Sequence, residues 1–251
     1  MLALTTKIRA AVAALSDVVV PPRCLACGGA VGPAADWCDA CAADLRTPER
    51  AVCRRCATPL PQASTPTTAG ADDCPVCREV SWAFDGVVAL GVYTGVLREL
   101  LLEAKRPAGA VAAVGVGRLL AAAWRADPRS QPDCRVVITP MPMHWRRRWS
   151  RGSNSAESLA EGLAAELRAP LRSLLRRRRA TRPQTSVAPS TRPQNVRGAF
   201  AARGRLSGET VLLVDDVLTT GSSCSAAARQ LKRAGAGRVI AVVAARRVAP
   251  A

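Results

Sequence analysis

From Ser81 onward, apolar residues along this chain alternate between two periods. "GVVALGVY" (Gly86 to Tyr93), "CRVVITPMPMHW" (Cys134 to Trp145), "VLLV" (Val211 to Val214) and Val239 to Ala244 contain short, near-continuous apolar runs. Such runs suit strands covered on both faces. Gly95–Arg106, Ala110–Ala126, Asn154–Leu167 and Ser225–Ala234 instead place apolar residues at helical spacing, with Ser153 or Asn154 as N-cap of the third and Gly235 closing the fourth. Alternating strands and helices predict an α/β fold: a mostly parallel sheet flanked by helices, with ligand sites at the carboxyl ends of its strands. Two loops leave such ends near basic residues, Thr139 to Gly152 and the turn after Val214.

Before Ser81 the pattern is different. Eight of ten cysteines fall in four CxxC pairs within 54 residues: Cys24/Cys27, Cys38/Cys41, Cys53/Cys56 and Cys74/Cys77. Each pair turns two thiolates to one side of a knuckle, and two knuckles complete a closed tetrahedral Zn²⁺ site. Two structural zinc ions are expected, holding a segment too rich in Pro and Gly to build its own core. Spacing leaves open whether the knuckles pair in order or interleave. Cys134 and Cys224 stand apart and read as small buried residues. The expected organisation is an N-terminal helix over residues 1–20, a cysteine-rich zinc module over 21–80, and an α/β domain over 81–251.

Composition narrows the partners. The chain of 251 residues is 49% hydrophobic but only 3% aromatic, so Ala, Val and Leu must build the core. Its formal charge of +17 is concentrated: His144 to Leu206 holds fifteen Arg against three Glu. Such a belt suits polyanions. In "HWRRRWSR", indoles interleaved with guanidiniums fit single-stranded nucleic acid, and the same arginines fit a pyrophosphate. Asp17 interrupts the apolar start of the chain, and Arg118 interrupts the Ala/Gly-rich run from Ala108 to Trp124. Neither segment reads as a membrane span, and a cytoplasmic protein is expected.

The turn after Val214 carries the sharpest chemistry. Asp215 and Asp216 follow the apolar run, and Thr219-Thr220-Gly221-Ser222-Ser223 leads into a helix. A small-residue turn at a helix N-terminus offers N–H groups and hydroxyls to a phosphate. The adjacent carboxylates suit the hydroxyls of a sugar carrying that phosphate, or a divalent metal. A P-loop needs a lysine after the glycine, and none follows Gly221.

The whole pattern resembles a known family. "VLLVDDVLTTGSS" is similar to the phosphoribosyl-pyrophosphate signature of type I phosphoribosyltransferases. "YTGVLRELLLEAK", "TPMPMHWRRRWSRGSNSAESLA", "RATRPQTSVAPSTRPQNVRGAF" and the four CxxC pairs resemble the ComF family, phosphoribosyltransferase-like proteins associated with DNA uptake. The likeness covers about residues 20 to 248. It implies that Asp215 and Asp216 bind ribose hydroxyls, directly or through Mg²⁺, and are the catalytic pair of an active enzyme. It implies that Thr219, Thr220, Gly221, Ser222 and Ser223 cradle the 5′-phosphate. Arg146, Arg147, Arg148 and Arg151, with Lys105, take the pyrophosphate side, and Arg176 to Arg197 matches a hood over the substrate. Two functions follow from the likeness: phosphoribosyl transfer from phosphoribosyl pyrophosphate with Mg²⁺, or a non-catalytic adaptor that binds single-stranded DNA alongside DNA-uptake proteins. The chain departs from the family at Arg106, usually aromatic, and at Ser153 and Ser155, usually Phe and Gln.

Overall fold

A computed structural model of the chain describes residues 21–33, 35–45, 52–60, 74–131, 134–143, 153–178 and 198–248. The helix expected over residues 1–20, the arginines at 146, 147, 148 and 151, and most of the hood lie outside these segments. Four parallel strands form the central sheet: β1 (Gly86–Val92), β2 (Val136–Pro140), β5 (Thr210–Leu218) and β6 (Arg238–Arg246), in the order β1-β6-β5-β2. Two short strands, β3 (Leu175–Arg177) and β4 (Phe200–Ala202), pair antiparallel beside it. The helices are α1 (Asp39–Leu45), α2 (Pro75–Glu79), α3 (Gly95–Glu103), α4 (Ala110–Arg125), α5 (Ser155–Leu167) and α6 (Ser222–Arg233).

Continuous apolar runs form the middle of the sheet because both of its faces are covered. Val211 to Val214 and Val239 to Ala245 have no exposed surface. Alternate residues divide between two cores, as the pleat requires. Ile138, Leu212, Val214, Ile240 and Val242 pack with α3, α4 and α5, while Val211, Leu213, Val239, Ala241 and Val243 pack with α6 and Phe200. The helix expected to fall short of a membrane span is α4. The segment Pro107–Arg125 is long and apolar enough to cross a membrane by composition alone, but Ala113, Val116, Leu120 and Trp124 are buried in the core beneath it.

With few aromatics, the layers close by direct backbone approach. A Cβ at Gly117 would lie 2.2 Å from Leu159 O, and one at Gly162 would lie 2.0 Å from Val114 O. Only glycine permits α4 and α5 to cross this closely.

The two cysteine groups sit on opposite faces of the sheet. Leu25, Trp37 and Leu45, around the first group, join the α3–α5 core, and Arg118 on α4 grips Asp36 at 2.9 Å. Cys53, Cys56 and Cys74 join the α6 core with Trp82 and Phe84. Arg129 bolts this second group to β1. Its guanidinium donates to Arg54 O at 2.9 Å and to Val87 O at 3.1 Å, while Asp127 accepts from it at 2.6 and 2.7 Å.

The Asp127 carboxylate gives a stability prediction. Burial works to raise its pKa, but the guanidinium and N–H of Arg129 overcome that and hold it below the ordinary 3.8. A depressed carboxylate stabilises the fold above the ordinary carboxylate range and loses that contribution as pH falls. Asp127→Asn is expected to cost roughly 1.5–3 kcal/mol at pH 7. In denaturant titrations the gap to wild type should close as pH drops below 3.8; a gap independent of pH would mean Asp127 acts by shape alone.

Candidate functional site

The site begins with the strand carrying the acid pair. The apolar run was expected to end at Val214, but β5 continues, pairing Asp215 with Val243 and Leu218 with Arg246 on β6. Both acids therefore sit on the last turnings of a central strand, each half-buried, with fixed backbones. The helix also starts earlier than its apolar pattern suggested, at Ser222 rather than Ser225, so the turn is reduced to Thr219, Thr220 and Gly221.

Local hydrogen bonds orient the carboxylates. Asp215 Oδ1 accepts the Asp216 N–H at 3.0 Å, and Asp216 Oδ1 accepts the Val217 N–H at 2.7 Å. Ser155, the third residue where the chain departs from the family pattern, donates its hydroxyl to Asp216 Oδ2 at 3.2 Å. Burial, then the neighbouring charge of Asp216, pushes the Asp215 carboxyl up to about 8, and Arg177 on β3 works against that rise. Cys224 lies behind, its thiol pushed up by burial and by both acids, 3.9 Å from Asp215 Oδ2.

Gly221 makes the turn possible. It caps α6 at φ +75°, a left-handed conformation that disfavours side chains. A Cβ there would also meet Trp82 Nε1 at 2.6 Å, so the glycine answers to the core beneath the turn. The helix above it opens with N–H groups that have no intrahelical acceptor, and Thr220 Oγ1 shares a 2.9 Å hydrogen bond with Ser222 Oγ. Donors thus collect on one side of a turn whose strand supplies two acceptors.

The β2 exit lies against this turn. β2 pairs directly with β5, Met141 N donates to Val214 O at 2.7 Å, and the buried Asn154, the N-cap of α5, donates Nδ2 to Met141 O at 3.4 Å. The start of the basic loop is therefore adjacent to the acid pair. Lys105 instead follows α3, across β6 from the acids, and its N–H closes on Leu102 O at 3.3 Å. Arg177 lies in the stretch read as a hood and Ser155 in the helix-start motif, whereas Trp82 and Arg246 carried no local signature that would mark them for this site.

The cysteines form two groups paired in chain order, Cys24/Cys27/Cys38/Cys41 and Cys53/Cys56/Cys74/Cys77, with the sulfurs of each group within 4.8 Å of one another. Individual separations are 3.8 Å for Cys27–Cys38 and 3.6 Å for both Cys53–Cys77 and Cys56–Cys74. A tetrahedron with Zn–S bonds of 2.3 Å has edges of about 3.8 Å. The donor sets fit zinc closely, and four thiolates leave no open position.

The chain is similar to known proteins over most of its length. Residues 153–250 match the phosphoribosyl transferase domain, and residues 15–80 match the double zinc ribbon domain. The DNA utilization protein YhgH of Escherichia coli (strain K12) is 29% identical over 208 residues, 80% of this chain and 86% of that one. The Salmonella typhimurium protein of the same name is 30% identical over the same shares. Among solved structures, glutamine phosphoribosylpyrophosphate amidotransferase from B. subtilis is 24% identical, covering 57% of this chain and 30% of its own, with a TM-score of 0.38.

Two outcomes follow. Elemental analysis of the reduced, metal-replete chain should find two zinc ions per molecule; one or none would remove a thiolate site. Asp215 should behave as a destabilising group. The folded chain holds its proton more tightly than the unfolded chain does, so ionisation costs stability as pH rises from 3.8 to about 8. Without ligand, Asp215→Asn should out-melt wild type by a margin that grows over that range and levels off above it. Calorimetry showing a constant margin would contradict the raised pKa.

Proposed function

The chain belongs to the ComF family of phosphoribosyltransferase-like proteins with a double zinc ribbon, and from that footing we propose that it binds phosphoribosyl pyrophosphate with Mg²⁺ at the carboxyl end of β5. One observation carries the reading: two oriented carboxylates stand beside a left-handed glycine turn that opens a helix. Asp215 and Asp216 accept the ribose hydroxyls, while the amides and hydroxyls of Thr219 to Ser223 take the 5′-phosphate. Putting acceptors and donors on separate parts of one turn lets acids stand beside an anion site. Ser155 keeps Asp216 turned toward the ligand.

The hard oxygen donors of the acid pair fit Mg²⁺, whose contribution when bound is to offset the charge of the pyrophosphate. Arg146, Arg147, Arg148 and Arg151, which follow β2 in the chain, take the leaving-group side. Transfer would break the C1–O bond to pyrophosphate and form a bond from C1 to an acceptor. Arginines that stabilise the departing charge then supply the largest catalytic effect. Arg177 approaches from the hood.

The names of the relatives and the Arg-rich stretch support a second reading, in which the chain serves DNA uptake in the cytoplasm as a single-stranded-DNA-binding adaptor. Titration calorimetry separates the two. Wild type should bind phosphoribosyl pyrophosphate only with Mg²⁺ present, and Asp215→Asn with Asp216→Asn should remove roughly 1.5–3 kcal/mol per carboxylate. An oligonucleotide that binds with no dependence on the acid pair, together with no binding of the sugar phosphate, would favour the adaptor.

A further inference from the structure

Three successive carbonyls end β5 and enter the turn, and two side chains from distant parts of the chain hold all of them. Arg246, at the end of β6, donates Nη1 to Leu218 O at 2.9 Å and also to Thr219 O. Trp82 donates Nε1 to Thr220 O at 3.0 Å. In a trans peptide the N–H of the next residue points opposite the carbonyl. With the carbonyls of Leu218, Thr219 and Thr220 drawn toward Arg246 and Trp82, the N–H groups of Thr219, Thr220 and Gly221 point to the other side, where an anion would lie.

Trp82 is itself fixed by the second cysteine group. Trp82 is buried, stacked on Phe84 with centroids 5.5 Å apart, and Arg55, between Cys53 and Cys56, donates Nη2 to Trp82 O at 3.0 Å. The next residue, Ala83, donates its N–H to Ser225 Oγ on α6 at 3.0 Å. Arg246 is only 6% exposed, and its buried Nε has no hydrogen-bond partner among the described residues. It lies within electrostatic reach of Cys53, Cys56, Cys74 and Cys77. A zinc ion held by four thiolates would carry two net negative charges, the sign that a buried guanidinium calls for. A buried charge without such compensation is costly.

We infer that Trp82 and Arg246 are positioning residues for the phosphate turn, and that the zinc site at Cys53/Cys56/Cys74/Cys77 anchors Trp82. The second zinc ribbon is then the floor of the ligand site. The ligand part of this inference rests on the reading proposed above; the ordering of the turn does not.

The test uses the full chain with Trp82→Phe, which keeps the ring stack and removes the N–H, and with Arg246→Met and Arg246→Lys. Hydrogen–deuterium exchange reports on the amides of residues 219–223, elemental analysis on zinc, and calorimetry on phosphoribosyl pyrophosphate with Mg²⁺. Trp82→Phe and Arg246→Met should keep two zinc ions, speed exchange in the turn, and weaken the sugar phosphate tenfold or more. Arg246→Lys, which restores one donor and the charge, should recover part of both effects. Cys53→Ser, which opens the second thiolate site, should also speed exchange in the turn. Unchanged exchange in Trp82→Phe and Arg246→Met overturns the inference, and unchanged exchange in Cys53→Ser cuts the zinc out of it. If exchange responds but wild type fails to bind the sugar phosphate, the ligand assignment falls and the positioning role stands.

Discussion

A buried parallel sheet must find partners for every polar backbone group where its strands leave it, and at the carboxyl end of β5 that constraint shapes everything else. Neighbouring strands satisfy the ladder through Leu218. Beyond that point side chains take over, with Arg246 and Trp82 beneath and the mouth of α6 above. The acids can stand at this strand end because it opens toward solvent, and the turn can present donors because its carbonyls are held from below. A loop with freely rotating peptides would offer an anion no fixed set of N–H groups.

The cost of that arrangement is visible in Asp215. Its carboxyl is crowded by burial and by Asp216, so the fold keeps a proton on it up to about pH 8, where an ordinary aspartate would long since be charged. Binding sites commonly carry such strain, and the surrounding core must over-determine them. Here the core does so with small residues. The glycine-to-backbone contacts between α4 and α5, and the fully buried Val/Leu/Ala runs of β5 and β6, supply close packing with few large rings.

Much of this was legible in the chain. Continuous apolar runs marked the central strands because each is covered on both sides. CxxC spacing marked the metal ligands because a knuckle is a local structure. The acid pair and glycine turn were legible for the same reason. The extension of β5 through Leu218 was hidden, because Asp215 and Asp216 break the apolar run while their backbones continue the ladder. Pairing of the knuckles was hidden because it depends on which face of the sheet each segment reaches. Trp82 and Thr220 are 138 positions apart, and Ser155 and Asp216 are 61 apart. Contacts of that range leave no periodicity or spacing in the sequence; they exist only once β5 lies between β6 and β2.

The most direct measurement is a crystal structure of the zinc-loaded chain with phosphoribosyl pyrophosphate and Mg²⁺. The expected result places the 5′-phosphate on the amides of Thr219 to Ser223 and the ribose hydroxyls on Asp215 and Asp216. Trp82 and Arg246 should still hold the carbonyls of residues 218–220 from below. A 5′-phosphate bound elsewhere, or a turn whose carbonyls have rotated away from those two side chains to accommodate it, would contradict this assignment of the site.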